Sequence, residues 1–182
     1  MRLVDRADTT WGPLPVIEGV VTLRPWLDED AALVAEAFAD ADIRQWHSFA
    51  RLDPIEWMIQ RRRRWDEHRG ADWAVERDGE LVGRAALPSF DVAHRIATIG
   101  YWTHPAHRRT GVAGHAVATL TVWAFEEGFH RIQLEHAVLN EASCAVATRC
   151  GYIYEGTARE SWPHDGSYLD MHIHARLASD RR

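Results

Sequence analysis

The sequence predicts an α/β or α+β sandwich around one mixed sheet. Three observations predict it. Segments with helical spacing of apolar residues alternate with segments of period two along the 182 residues. Asp78-Gly79 separates two of the period-two segments and reads as a tight hairpin turn. No repeat, low-complexity tract or linker interrupts the pattern, and 46% hydrophobic residues supply one core. The expected organisation is a single domain over 1–182, with its core over about 20–177 and residues 1–19 as an N-terminal extension.

The elements follow in order. Val20 to Pro25 alternates and reads as a first strand. Asp28 can cap a helix through Asp40, with Ala32, Leu33, Ala35, Ala37 and Phe38 as its apolar positions. The stretch Ile43 to Leu52 is turn-rich, and Asp53-Pro54 opens a second helix that runs to His68 and stops at Gly70. Trp73 to Glu76 and Leu81 to Leu87 are the arms of the hairpin, and Arg95 to Thr103 is the next strand. Gly111 to Glu127 is apolar on nearly every side, as a helix buried against a sheet must be. His130 to Val138 is a strand with Ile132, Leu134, His136 and Val138 on one face. Glu141 to Cys150 is a short helix ended by Gly151. Two strands close the chain, at Tyr152 to Thr157 and at the last alternating run. In that run Leu169, Met171, Ile173, Ala175 and Leu177 form an apolar face opposite Tyr168, Asp170, His172, His174 and Arg176.

Composition excludes several chemistries. All 21 basic residues are arginine, so a lysine Schiff base, a Walker-type phosphate loop and a lysine nucleophile are ruled out. A net charge of -6 speaks against a dedicated nucleic-acid binder. Cys144 and Cys150 fall six residues apart on one helix, point in different directions and imply no disulfide framework. The first six residues lack the apolar centre of a signal peptide, and no apolar run is long enough to span a bilayer. The expected location is the cytoplasm.

The most informative segment is Arg108-Arg109-Thr110-Gly111-Val112-Ala113-Gly114, placed between a strand and a buried helix. A helix start offers free N–H groups and the positive end of the dipole, and small residues allow close approach. That combination suits a diphosphate, with Arg108 and Arg109 adding charge. Arg-x-x-Gly-x-Ala after Ile99-Gly100-Tyr101-Trp102 resembles the coenzyme A signature of GNAT acetyltransferases, of the RimJ/RimL branch. Leu23-Arg24-Pro25-Trp26, Asn140-x-x-Ser143, Gly151-Tyr152, Glu155-Gly156 and Asp170 carry the same resemblance, which spans Val20 to Leu177.

The resemblance implies a central mixed, mostly antiparallel sheet, splayed at the coenzyme A site and flanked by helices on both faces, and transfer of an acetyl group from acetyl-CoA to a primary amine by direct attack. The acceptor would be a protein N-terminus or a small molecule. The backbone of Trp102 and Thr103 would hold the pantetheine arm, the N–H groups of Arg109 to Gly114 the diphosphate, and Asn140 the arm's amides. A backbone N–H near Trp102 would meet the oxyanion. Many GNAT proteins place a tyrosine seven residues after the asparagine; here that residue is Ala147, and Ser143 becomes the expected donor to the leaving thiolate. The expected base is Glu160, with Glu135, His136 and Asp170 as alternatives, and Trp162 is the other reading of the matching position. Trp46, Tyr168 and Asp170 are expected at the acceptor, with His47, Trp57 and Trp65 as further residues around it.

Other patterns stay outside that reading. His172-x-His174, with His164 near in sequence, has metal-binding chemistry, but no cysteine or second well-spaced carboxylate pair is expected to complete the set, and no metal is expected. His104-x-x-His107 reads as surface. Arg61 to Arg64 fan around a helix and are mostly solvated; a basic patch for RNA, or a role with an acidic acyl donor such as succinyl-CoA, are the alternatives. A homodimer is compatible with the sequence. A non-catalytic coenzyme A-binding regulatory module is the rival to an enzyme.

Overall fold

The computed structural model describes residues 2–5 and 11–180; of the N-terminal stretch considered above, Met1 and Arg6 lie outside the described residues. Seven strands and five α-helices follow in the order β1 (Thr22–Arg24), α1 (Ala31–Ala39), α2 (Ala41–Trp46), α3 (Pro54–Asp66), β2 (Ala71–Arg77), β3 (Glu80–Asp91), β4 (Ile96–Thr103), α4 (Val112–Glu126), β5 (Arg131–Ala137), α5 (Glu141–Arg149), β6 (Ile153–His164) and β7 (Ser167–Leu177). The strands make one sheet in the order β1-β2-β3-β4-β5-β7-β6. Every neighbouring pair is antiparallel except β4 with β5. The β2–β3 hairpin turns on Asp78 and Gly79, both with positive φ, as a two-residue primed turn requires.

Helices cover both faces. α4 presents Val112, Ala116, Val117, Leu120 and Ala124 to Trp73, Val75, Ala85, Ile99, Ile132 and Leu134. Each large apolar side chain buried there contributes about 1.5–3 kcal/mol. On the other face, α1 and α3 pack Val34, Ala37, Phe38, Trp57 and Met58 against Ala74, Leu81 and Trp102. A buried ion pair lies between this cluster and the sheet. Arg84 on β3 meets Asp72 on β2, and Asp72 also accepts a hydrogen bond from Trp26 Nε1 at 3.0 Å.

Several sequence expectations need correction. α2 begins directly after the end expected for the first helix and runs into the turn-rich stretch, because the Asp40 carboxylate accepts from the Ile43 N–H and starts a new helix. Asp28 is not the cap of α1; it pairs with Arg62, and α1 begins after a 3₁₀ turn. β6 continues to His164 across two bulges, the second of which puts Glu160 at φ 49°. The segment before β1 joins the core: Leu3, Val4, Trp11 and Ile17 are buried, and Ile17 bridges Leu23. The face of β7 that carries His172 and His174 lies against α5, and His174 is only 2% exposed. The opposite, apolar face includes Leu169 and Met171, which are left on the wall of a cleft. Alternation separates two faces of a strand but does not say which one a helix covers.

Candidate active site

The parallel pairing of β4 and β5 ends at Ile99 opposite Leu134, although β4 runs on to Thr103 and β5 to Ala137. The two strands therefore part in the middle of the sheet. A cleft of about 1760 Å³ opens at this point. The start of α4 lies along one part of the cleft and the start of α5 along another.

The backbone in the gap follows from ladder alternation. His104 donates its N–H to the Val82 carbonyl, and Trp102 stands opposite Arg84 two residues earlier. Trp102 thus turns its N–H and C=O towards β3. The groups that face away from β3 are those of Tyr101 and Thr103, the Tyr101 carbonyl being met by the His47 ring, which corrects the expectation that Trp102 offers the N–H. The Trp102 side chain is buried in the α1–α3 cluster. Gly83 is required here, because a Cβ on it would sit 2.5 Å from the Trp102 carbonyl oxygen.

The phosphate turn has the expected form. Gly111 is the N-cap of α4 at φ 83°, and Arg109 also has positive φ. No side chain caps the helix, and the first backbone bond of α4 is His115 N–H to Gly111 C=O. The N–H groups of Val112, Ala113 and Gly114 have no intrahelical acceptor, and all three residues line the cleft. Thr110 does not line it. Its hydroxyl donates to the His107 carbonyl and accepts from Arg77, which braces the turn from behind. Arg109 and Arg108 both line the cleft, but Arg108 is bound to Asp40 and Asp42 of α2. Burial works against the Asp40 carboxylate, and the Arg108 guanidinium outweighs it, holding Asp40 below the usual carboxylate range. Arg109 remains the arginine of the turn without an acidic partner among the described residues. His107 also lines the cleft, and His104 is buried with Nδ1 accepting from the Ala106 N–H, so this pair is not plain surface.

At the other wall, Asn140 caps α5 by accepting the Ser143 N–H at 3.0 Å. Ser143 Oγ lies 2.8 Å from the Tyr101 hydroxyl. Burial pushes the Tyr101 phenol up to about 12, against the opposing effect of Ser143, so the phenol is neutral and able to donate. Sequence reasoning missed this tyrosine because it searched the α5 helix, where Ala147 is fully buried. The residue comes instead from β4, inside the Ile-Gly-Tyr-Trp phrase. Ser143, Asn140 and Tyr101 all line the cleft.

A further part of the cleft is bounded by Trp46, His47, Phe49, Arg61 and Arg84, and by Trp162 and His164 of the β6–β7 hairpin. That hairpin reaches α2, where His164 stacks on Trp46, and Arg51 pairs with Asp165. Burial, aided by Arg84, pushes His47 down to about 3, so its imidazole is neutral. Glu135 and His136 line the cleft; Glu160, Tyr168 and Asp170 do not. Asp170 accepts the Glu160 N–H and steadies the β6 bulge, while Tyr168 is exposed on the hairpin. Trp57 and Trp65 are buried in the core rather than in the cleft wall. Of the arginine run, Arg62 and Arg64 bond to backbone carbonyls at Trp26 and Pro88. Arg61 lies over the Trp57 ring, has an unpartnered buried Nε and makes no salt bridge among the described residues.

Comparison with known proteins agrees with this geometry. Residues 21–153 match the acetyltransferase (GNAT) domain family. An uncharacterized N-acetyltransferase, YoaA, of Bacillus subtilis is 27% identical over 169 residues, covering 88% of this chain and 96% of its own. The ribosomal-protein-serine acetyltransferase of Escherichia coli is 28% identical over 104 residues, or 57% of this chain and 58% of its own. The structure of Mycobacterium smegmatis RimJ in complex with CoA-disulfide superposes with a TM-score of 0.79 at 29% identity, covering 92% of this chain and 86% of that one. With the family match spanning most of its length, the chain belongs to the GNAT acetyltransferases, and it is an N-acetyltransferase that draws on acetyl-CoA.

Proposed function

We propose that the chain acetylates a primary amine, on a protein N-terminus or a small molecule in the cytoplasm, by direct attack within a ternary complex. The observation that carries this reading is the parting of β4 from β5 after Ile99 and Leu134, beside an uncapped α4 start. Pantetheine pairs with the backbone of Tyr101 and Thr103 as a missing strand would. The diphosphate rests on the N–H groups of Val112 to Gly114, with Arg109 beside it. Asn140 keeps its side-chain N–H groups for the arm after its oxygen has capped Ser143.

The amine enters from the Trp46 side and must be neutral to attack the thioester carbonyl. Glu135 is the carboxylate we assign to accept its proton, directly or through water, since it lies in the cleft and Glu160 does not. A backbone N–H of Tyr101 or Thr103 stabilises the oxyanion. When the tetrahedral intermediate collapses, Ser143 donates a hydrogen bond to the leaving sulfur, and Tyr101 holds the serine hydroxyl in place.

A second feature narrows the acceptor. Arg61 carries an unneutralised guanidinium at the acceptor wall, and burial pulls its pKa below the usual arginine value. An acid on the acceptor, or on a longer acyl group such as succinyl, would relieve that cost. Thiol release from acetyl-CoA and succinyl-CoA, measured with a panel of N-terminal peptides and small amines with and without a carboxylate, tests the whole reading. Release that depends on an amine supports it. Tight coenzyme A binding with no release for any acceptor would make the chain the regulatory module instead.

A further inference from the structure

His136 on β5, His172 and His174 on β7 and Cys144 on α5 converge beneath the first turn of α5. Cross-strand register explains the imidazoles: His136 stands opposite His172, and His174 lies two residues along on the same face. One ligand atom from each of the four lies within 4.8 Å of every other. His136 Nε2 and His174 Nε2 are 3.2 Å apart. Around a tetrahedral zinc ion, with bonds of about 2.0–2.3 Å, neighbouring ligand atoms are about 3.3–3.8 Å apart. Two nitrogens already stand close to that spacing, and side-chain rotation of about an ångström brings in the rest.

The hydrogen bonding does not close without a cation. His136 Nδ1 lies 2.9 Å from the Ala137 carbonyl, which fixes its proton there and leaves a lone pair on Nε2. His174 can satisfy that lone pair only by carrying its proton on Nε2, and its buried Nδ1 is then an acceptor with no partner. If His174 is protonated on Nδ1 instead, two lone pairs face each other at 3.2 Å. His172 Nδ1 is likewise buried and unpartnered. A divalent ion on the two Nε2 atoms takes up both lone pairs; the His174 proton then sits on Nδ1, with the Tyr152 backbone as the group its ring can donate to, and a carbonyl-bound Nδ1–H of the kind seen at His136 is what a metal-bound imidazole uses to hold its ring.

We propose that His136, His172, His174 and Cys144 form a zinc site that ties α5 to β5 and β7 and so steadies the helix turn bearing Ser143. Three neutral imidazoles and a thiolate suit zinc, and the Cys144 thiol releases its proton to solvent on binding. A shallow opening of about 520 Å³ lined by Val138, Glu141, Cys144, Thr148 and His172 gives an ion a way in from outside the cleft. The site borders the cleft through His136 and through Cys144, the neighbour of Ser143, while the transfer chemistry itself needs no metal.

The test uses tag-free full-length protein stripped with a chelator, titrated with Zn²⁺ in thermal melts and with Co²⁺ by absorption. Zinc at about 100-fold above its Kd is expected to raise the Tm by about 5–10 °C. Cobalt is expected to show the intense d–d bands of a four-coordinate site and a thiolate charge-transfer band. Cys144→Ser should lose the charge-transfer band. His174→Gln, and separately the less buried His172→Gln, should weaken binding by about tenfold or more. Circular dichroism checks that each variant is folded. A wild-type protein with no melting shift and no cobalt spectrum would overturn the proposal, as would folded Cys144→Ser and His172→Gln proteins with unchanged spectra.

Discussion

Ser143 and Tyr101 give the sharpest functional prediction. Ser143→Ala removes the hydroxyl assigned to the leaving sulfur, and a group of that kind is worth about 10²-fold or more in rate. Tyr101→Phe leaves Ser143 in place and removes only the 2.8 Å bond that orients it. A net hydrogen bond contributes about 0.5–1.5 kcal/mol, which corresponds to about 2- to 13-fold in kcat. The two effects share one path. In Ser143→Ala, the further change Tyr101→Phe is expected to cost nothing more, a coupling of about the full Tyr101 effect. The assay is thiol release under saturating acetyl-CoA, with Kd for coenzyme A measured in parallel. The reasoning fails if Ser143→Ala keeps full kcat, or if the two losses multiply independently.

Three further outcomes follow. Gly111→Ala places a Cβ at φ 83° and 3.3 Å from His115 Cε1; it should cost about 1–2 kcal/mol and weaken coenzyme A binding by about tenfold, as read by calorimetry. Asp72→Ala leaves Arg84 buried without its carboxylate and Trp26 Nε1 without its acceptor, so a loss of about 3–5 kcal/mol, or about 10 °C or more in Tm, is expected. Burial raises the Tyr101 pKa from 10.0 to about 12, so its stabilising effect is complete below pH 10 and lost as the pH rises to about 12. Urea unfolding should therefore show wild type losing about 2–3 kcal/mol more than Tyr101→Phe across that interval. An equal loss in both proteins would contradict the burial argument.

The sheet, the buried α4 and the phosphate turn were legible because each is a local pattern. Period two, an Asp-Gly turn and an all-apolar helix opened by glycine need no knowledge of distant residues. What escaped detection depends on contacts far apart in sequence. Tyr101 acts through Ser143, which is 42 residues away. Arg108 looked free for phosphate because Asp40 and Asp42, which bind it at the start of α2, lie 68 and 66 residues away in sequence. The histidines of β7 could be assigned to one strand face, but nothing in that strand shows that α5 brings Cys144 to them. His164, grouped with them by sequence, instead stacks on Trp46. Glu160 failed to reach the cleft because it sits within a bulge of β6, and a bulge leaves no clear mark on an alternating sequence.

The central claim is that the gap between β4 and β5, with the open α4 start beside it, is where the acyl donor lies. A crystal structure with acetyl-CoA bound tests it most directly. The diphosphate should accept bonds from the N–H groups of Val112 to Gly114, the arm should pair with the backbone of Tyr101 and Thr103, and the sulfur should lie within reach of Ser143 Oγ. Density for the cofactor anywhere else on the sheet, with those amides left to water, would contradict the account.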